Sequence, residues 1–278
     1  MNRIVTISFF LFITAFGFAQ NGKLLDKKLI DIILTPYWYQ FSGNDTLKTN
    51  YKYLDQLDFY AITYQSDSSI VKGITIEPKK EGAFPVVIFN RGGNAKFATL
   101  DVSTLIYFMA KLAEQGHIVI ASNYRKEEEY GGADINDVLY LTETIKEINK
   151  ADTSRIGMFG WSRGGMMTYL ALQKSDKIKT AIVGNSPSDL FKIAEYRPYL
   201  EDKVFAEFIL NYWENKETEL KKRSVVYWAD ELSKQSSLLT LYGTKDNSCP
   251  HRQYDEISHL LEKIEYNYQL MKFETDHT

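Results

Sequence analysis

The chain has 278 residues, with 33 basic and 36 acidic side chains, a formal net charge of -3 and 44% hydrophobic residues. That balance argues against a nucleic-acid partner, since basic clusters such as Lys221-Lys222-Arg223 are short and flanked by acids. A single cysteine, Cys249, excludes an intrachain disulfide framework, so the core must hold by burial alone.

Residues 1–19 read as a signal peptide. Arg3 supplies the positive start, residues 4–16 an apolar core too short to span a bilayer, and Gly17-Phe18-Ala19 a small-residue cleavage site before Gln20. No cysteine follows for lipid attachment, so the mature chain is expected to be secreted or periplasmic, with no stable membrane insertion. The remaining length suits one large α/β domain. Residues 20–58 lack a clear period and read as an N-terminal extension with a short helix over 24–34.

From residue 59 the pattern is regular. Two β-rich runs, 59–65 and 70–77, flank Ser66-Asp67-Ser68-Ser69 as an antiparallel hairpin. The continuous apolar run 85–90 is a strand buried on both faces. A helix over 100–115, a strand over 117–122 and a helix over 135–149 follow. Next come strand 155–159, helix 165–172, and strands 179–184, 238–242 and 267–273. Such alternation predicts a mostly parallel sheet wound on both faces. Residues 187–234 interrupt it with a helical, aromatic-rich stretch from Phe191 to Trp228, expected to lie over the strand ends as a cap, most of its rings packing it down and a few lining a pocket.

Gly160-Trp161-Ser162-Arg163-Gly164 falls between a strand and a helix, where G-x-S-x-G marks a turn that lifts the serine clear of the sheet. A serine hydroxyl needs a histidine to take its proton, and the histidine needs a carboxylate to fix its tautomer. Of four histidines, His117 precedes the serine and opens a buried strand, while His251 and His259 belong to the helix around 254–263. His277 follows the last strand and is the base by position and elimination. Asp246 lies just past the strand 238–242, where active-site residues of such sheets gather; Asp189 is a weaker alternative acid. An oxyanion site needs backbone N–H donors, and these are expected from Arg163 and from the loop Arg91-Gly92-Gly93-Asn94. Glu127-Glu128-Glu129 reads as a solvated loop face, Cys249 as a packing residue, and Arg125 as the partner of Asp134 or Asp137. Trp161 and Arg163 flank the nucleophile and are candidates for the pocket border.

Across residues 59–278 these pieces resemble the catalytic domain of the prolyl oligopeptidase family of α/β-hydrolases, and more loosely the dienelactone hydrolases. The matching segments include Arg91-Gly92-Gly93, Asn123-Tyr124-Arg125, Gly160-Trp161-Ser162-Arg163-Gly164-Gly165, Tyr242-Gly243-Thr244-Lys245-Asp246 and Asp276-His277. The resemblance implies an α/β-hydrolase fold with an antiparallel N-terminal hairpin and a helical cap, and a serine hydrolase needing no metal or other cofactor. It leans toward a peptidase acting on short peptides; a carboxylesterase acting on small esters uses the same chemistry, and a catalytically weak binding protein of the same fold is the further alternative. Three departures stand out. Arg91 replaces the histidine that usually opens the His-Gly-Gly loop, there is no room for a propeller domain before residue 59, and the helix that relatives carry after the base histidine has no counterpart before Thr278.

Overall fold

In the computed structural model, which describes residues 20–44 and 46–277, nine strands build one sheet. They are β1 (Leu24–Leu29), β2 (Leu57–Ser66), β3 (Ser69–Pro78), β4 (Phe84–Asn90), β5 (Ile118–Ser122), β6 (Ala151–Trp161), β7 (Ile178–Gly184), β8 (Ser237–Gly243) and β9 (Tyr268–Phe273). Their spatial order is β1-β2-β3-β5-β4-β6-β7-β8-β9. The first three pair antiparallel and β3 meets β5 antiparallel; every pairing from β5 to β9 is parallel. This is the α/β-hydrolase arrangement. The signal-peptide reading of residues 1–19 lies outside the described residues.

The parallel strands need long crossovers, and the helices that make them cover both faces. Helix α1 (Val102–Glu114) starts on Asp101, whose side chain accepts the Thr104 N–H. It packs with the 3-10 segment Thr49–Gln56 over one apolar cluster that includes Phe59, Ile76, Phe89 and Val119. Helices α2 (Arg163–Lys174), α3 (Leu190–Tyr196), α4 (Tyr212–Arg223) and α5 (Arg252–Lys263) share the opposite, larger cluster.

Two segments depart from the sequence expectation. Residues 24–34 hold no long helix: Leu24–Leu29 is strand β1, paired antiparallel with β2, and only Ile32–Leu34 forms a 3-10 turn. The short helix expected there is overridden by the unpaired backbone edge that β2 presents. Residues 135–149 form not one helix but three short pieces, Ile135–Leu139, Leu141–Thr144 and Ile145–Glu147. Hydroxyls of Thr142 and Thr144 bond to the Leu139, Tyr140 and Gly22 carbonyls there, competing with a continuous helix.

Between β7 and β8 the chain is helical. Phe205, Tyr212 and Trp228 are buried in the larger core, and Phe191 and Phe208 pack against it. Tyr196, Tyr199, Trp213 and Tyr227 are exposed. No helix among the described residues is long and apolar enough to cross a membrane.

Candidate active site

Ser162 joins β6 to α2 with φ 56° and ψ -125°, a conformation most residues avoid. Surrounding structure holds it there: its N–H donates to the Gly184 carbonyl at 2.8 Å and its carbonyl accepts from Gly165 at 2.9 Å. Strand and helix touch so closely that a Cβ on Gly164 would stand 1.9 Å from the Asn90 carbonyl oxygen. The turn therefore presents the Ser162 hydroxyl above the carboxyl edge of the sheet, at the amino end of a helix.

Two further loops converge on it. After β8, Asp246 turns inward with its side chain fully buried, and its Oδ1 accepts the N–H groups of Ser248 (2.6 Å) and Cys249 (2.9 Å). After β9 the chain returns to the same edge. There His277 Nδ1 lies 2.7 Å from Asp246 Oδ2 and Nε2 lies 3.0 Å from Ser162 Oγ. A carboxylate against Nδ1 keeps the proton on that nitrogen, which leaves Nε2 to accept from the serine hydroxyl. The structure thus brings Ser162, His277 and Asp246 into one hydrogen-bonded line.

The remaining candidates lie elsewhere. His117 Nδ1 is paired with the Leu112 carbonyl (3.1 Å), and His251 and His259 are exposed on or beside α5. Asp189 caps α3 by accepting the Phe191 N–H at 2.9 Å. Burial, then the nearby Asp246 carboxylate, pushes the Cys249 thiol up, so it packs as a neutral group.

Gly92 lies against Ser162, since a Cβ there would be 3.2 Å from Ser162 Cβ. Gly93 has φ 67° and forms the tight turn that returns the chain toward Phe97. Arg163 opens α2, so its N–H has no partner one turn earlier within the helix. Its side chain does not border a pocket; it is buried and paired with Glu128 and Asp134. Glu128 is accordingly no solvated loop residue but a buried one, shared between Arg163 and Arg91. The solvated reading fails because two guanidinium groups supply what water would. Arg125 pairs with Asp137 (2.7 Å) and Asp67 (2.9 Å), not with Asp134.

Two residues make contacts that were not legible in the sequence. Asn185, buried immediately after β7 at φ 42°, accepts the Gly243 N–H at 2.8 Å and donates to the Asp276 carbonyl at 3.1 Å. It thereby ties the loop carrying Asp246 to the segment carrying His277. Its place in the Gly-Asn-Ser-Pro turn at the carboxyl edge was the available signal. Trp161 Nε1 donates to the His277 carbonyl at 3.1 Å, fastening the same segment to the elbow. Among the described residues no group of three or more His, Cys, Asp or Glu side chains is arranged to hold a metal ion.

The uncharacterized peptidase YtmA of Bacillus subtilis is 28% identical over 145 residues, covering 50% of this chain and 55% of that protein. YuxL, a second uncharacterized peptidase of the same species, is 25% identical over 224 residues, 74% of this chain and 33% of its own length. The chain spans about half or less of these curated relatives. Among solved structures, Pyrococcus horikoshii acylaminoacyl peptidase superposes with a TM-score of 0.67 at 23% identity, over 82% of this chain and 39% of that one. Residues 106–277 match the prolyl oligopeptidase family, peptidase family S9. That stretch runs from α1 through the serine elbow to His277, and by it the chain belongs to the prolyl oligopeptidase family of serine hydrolases.

Proposed function

We propose that this protein is an exported serine peptidase that cleaves short peptides by two-step acyl transfer. Ser162 is the nucleophile, His277 the general base and Asp246 the carboxylate that orients it. The observation that carries the reading is the continuous line from Ser162 Oγ to His277 Nε2 (3.0 Å) and from Nδ1 to Asp246 Oδ2 (2.7 Å).

Ser162 Oγ attacks the scissile carbonyl carbon as its proton passes to His277 Nε2. Buried Asp246 stabilises the imidazolium. The oxyanion takes N–H groups of Arg163 and of the Gly92-Gly93 turn. His277 then protonates the leaving amine, the C–N bond breaks, and the acyl group remains on Ser162. Water, giving its proton to His277, attacks the ester; the acid leaves and Ser162 regains its proton. Peptide substrates are supported by the family and by relatives named as peptidases. Export is supported by the charge, apolar core and small-residue site of residues 1–19.

A fluorophosphonate probe is expected to label wild-type protein at Ser162 and to leave Ser162→Ala unlabelled; an unlabelled wild type sinks the nucleophile assignment. Turnover of dipeptidyl p-nitroanilides tests the substrate. Hydrolysis of p-nitrophenyl esters with no anilide cleaved would replace the peptidase by an esterase. N-terminal sequencing of exported protein should begin at Gln20, and a protein retaining residues 1–19 would refute cleavage there.

A further inference from the structure

Behind the Gly92-Gly93 turn stand four almost fully buried charges, Arg91, Glu128, Asp134 and Arg163. Arg91 pairs with one oxygen of Glu128, Arg163 with the other, and Arg163 reaches Asp134 with its second nitrogen. The Tyr124 ring is close to both guanidinium groups, 4.6 Å from Arg91 Cζ and 4.9 Å from Arg163 Cζ. Desolvating four charges is costly, and well-packed apolar side chains commonly serve stability as well or better. Stability alone does not account for the cluster.

Each arginine also directs one N–H at the turn. Arg91 Nη1 donates to the Gly92 carbonyl at 3.0 Å, and Arg163 Nη1 to the Gly93 carbonyl at 3.0 Å. In a trans peptide the N–H points opposite to the preceding carbonyl. With the Gly92 carbonyl drawn toward Arg91, the Gly93 N–H faces away from the cluster. Gly92 lies against the nucleophile, a Cβ there being 3.8 Å from Ser162 Oγ. The next donor, the Asn94 N–H, is already given to Phe97 O at 2.9 Å.

We infer that Arg91 and Arg163, joined through Glu128, are positioning residues that clamp the two carbonyls of this turn and so aim the Gly93 N–H at the oxyanion. The inference rests on Ser162 being the nucleophile. Arg163 then serves twice: its backbone N–H is one oxyanion donor, and its side chain fixes the loop that supplies the other. Arg91 takes over, by a different geometry, the position that a histidine holds in the His-Gly-Gly loop.

Arg91→Lys separates clamp from charge. It keeps a cation opposite Glu128 but replaces the rigid fork by a single compact ammonium, which cannot hold both Glu128 and the Gly92 carbonyl in the same way. Turnover of p-nitrophenyl acetate and inhibition by phenylboronic acid, which forms a tetrahedral adduct on the serine, are measured beside the melting temperature. The expected result is a kcat about ten- to a hundred-fold lower, short of the loss for a deleted oxyanion donor. Boronate affinity should weaken in parallel, with KM little changed. Glu77→Gln, which breaks the Lys27–Glu77 ion pair between β1 and β3, is the control: it should lower the melting temperature without weakening boronate binding. Wild-type kcat and boronate affinity in Arg91→Lys would overturn the inference, as would a lower melting temperature with boronate affinity intact. Fluorophosphonate labelling keeps the two levels apart: an unlabelled wild type removes the nucleophile reading itself, whereas a labelled wild type with an unaffected Arg91→Lys removes only the clamp.

Discussion

Asp246 illustrates how one residue's bonds set the chemistry of another. Its Oδ1 is committed to the Ser248 and Cys249 N–H groups, and its Oδ2 faces His277 Nδ1. In Asp246→Asn the amide oxygen is expected to keep the two backbone donors, which turns the NH2 toward Nδ1. His277 would then carry its proton on Nε2, unable to accept from Ser162. We predict a fall in kcat of about 10⁴-fold with the fold retained, since the change is one of tautomer rather than of packing. Steady-state kinetics beside a thermal melt checks this; a variant within tenfold of wild type would remove Asp246 from the relay.

At the scale of elements, the site is made by three loops whose relative positions depend on few bonds. Asn185 bridges the end of β8 and the segment after β9 through Gly243 and Asp276. In Asn185→Ala both bonds are lost and the base is less firmly held against the acid. We expect kcat to drop by about ten- to a hundred-fold, the scale of a small misplacement of a reacting group. The same substitution on a His277→Ala background should cost nothing further, which separates an effect through the base from general damage. A second clamp lies at the other end of the sheet. Asp67, at the β2–β3 turn with φ 51°, accepts from Arg125, Asn136 and Tyr140. Partial burial pushes its carboxyl up, but those bonds outweigh it and the net shift is downward. A lowered folded-state pKa gives stability that is present above the unfolded value, near pH 4, and lost as pH falls through the folded one. Asp67→Asn should therefore lower stability at neutral pH by about 1 kcal/mol, a figure limited by its partial exposure. That difference should shrink in acid. Denaturant melts at neutral and acidic pH measure it, and a pH-independent difference would show that charge is not the cause.

For the molecule as a whole, the fold and the site draw on different parts of the chain. The two apolar clusters are assembled from the sheet, the helices and Thr49–Gln56. Residues 274–277 are exposed or half-buried and are held by hydrogen bonds from Lys245, Asn185 and Trp161 among others. Ending the chain after Phe273 should leave cooperative unfolding intact while abolishing turnover, because it removes the base and almost no core. Loss of the folding transition would show that the segment also supports the sheet. A cavity of about 870 Å³ opens beside Leu170, Gln173 and Lys174 toward the carboxyl end of α2, away from Ser162 at its amino end.

How much could be read from the chain follows from the range of each interaction. Period and composition are local, so the apolar runs around Val86, Val119 and Ile182 announce buried strands, and the elbow declares itself by five consecutive residues. The order of Ser162, Asp246 and His277 along the chain suffices to nominate a relay once the fold class is inferred. Strand β1 was not legible, because a free backbone edge on β2 decides it and no residue code records that edge. Glu128 looked solvated between two other glutamates until Arg91 and Arg163, far away in sequence, came to meet it. Asn185 looked like an ordinary turn residue until Gly243 and Asp276 closed around its side chain. The sequence by itself determined the buried strand runs of the parallel sheet, the serine elbow and the chain order of the candidate residues. Only the tertiary structure decided which charges are buried together and how firmly His277 is held, because both depend on contacts between loops that no local pattern encodes.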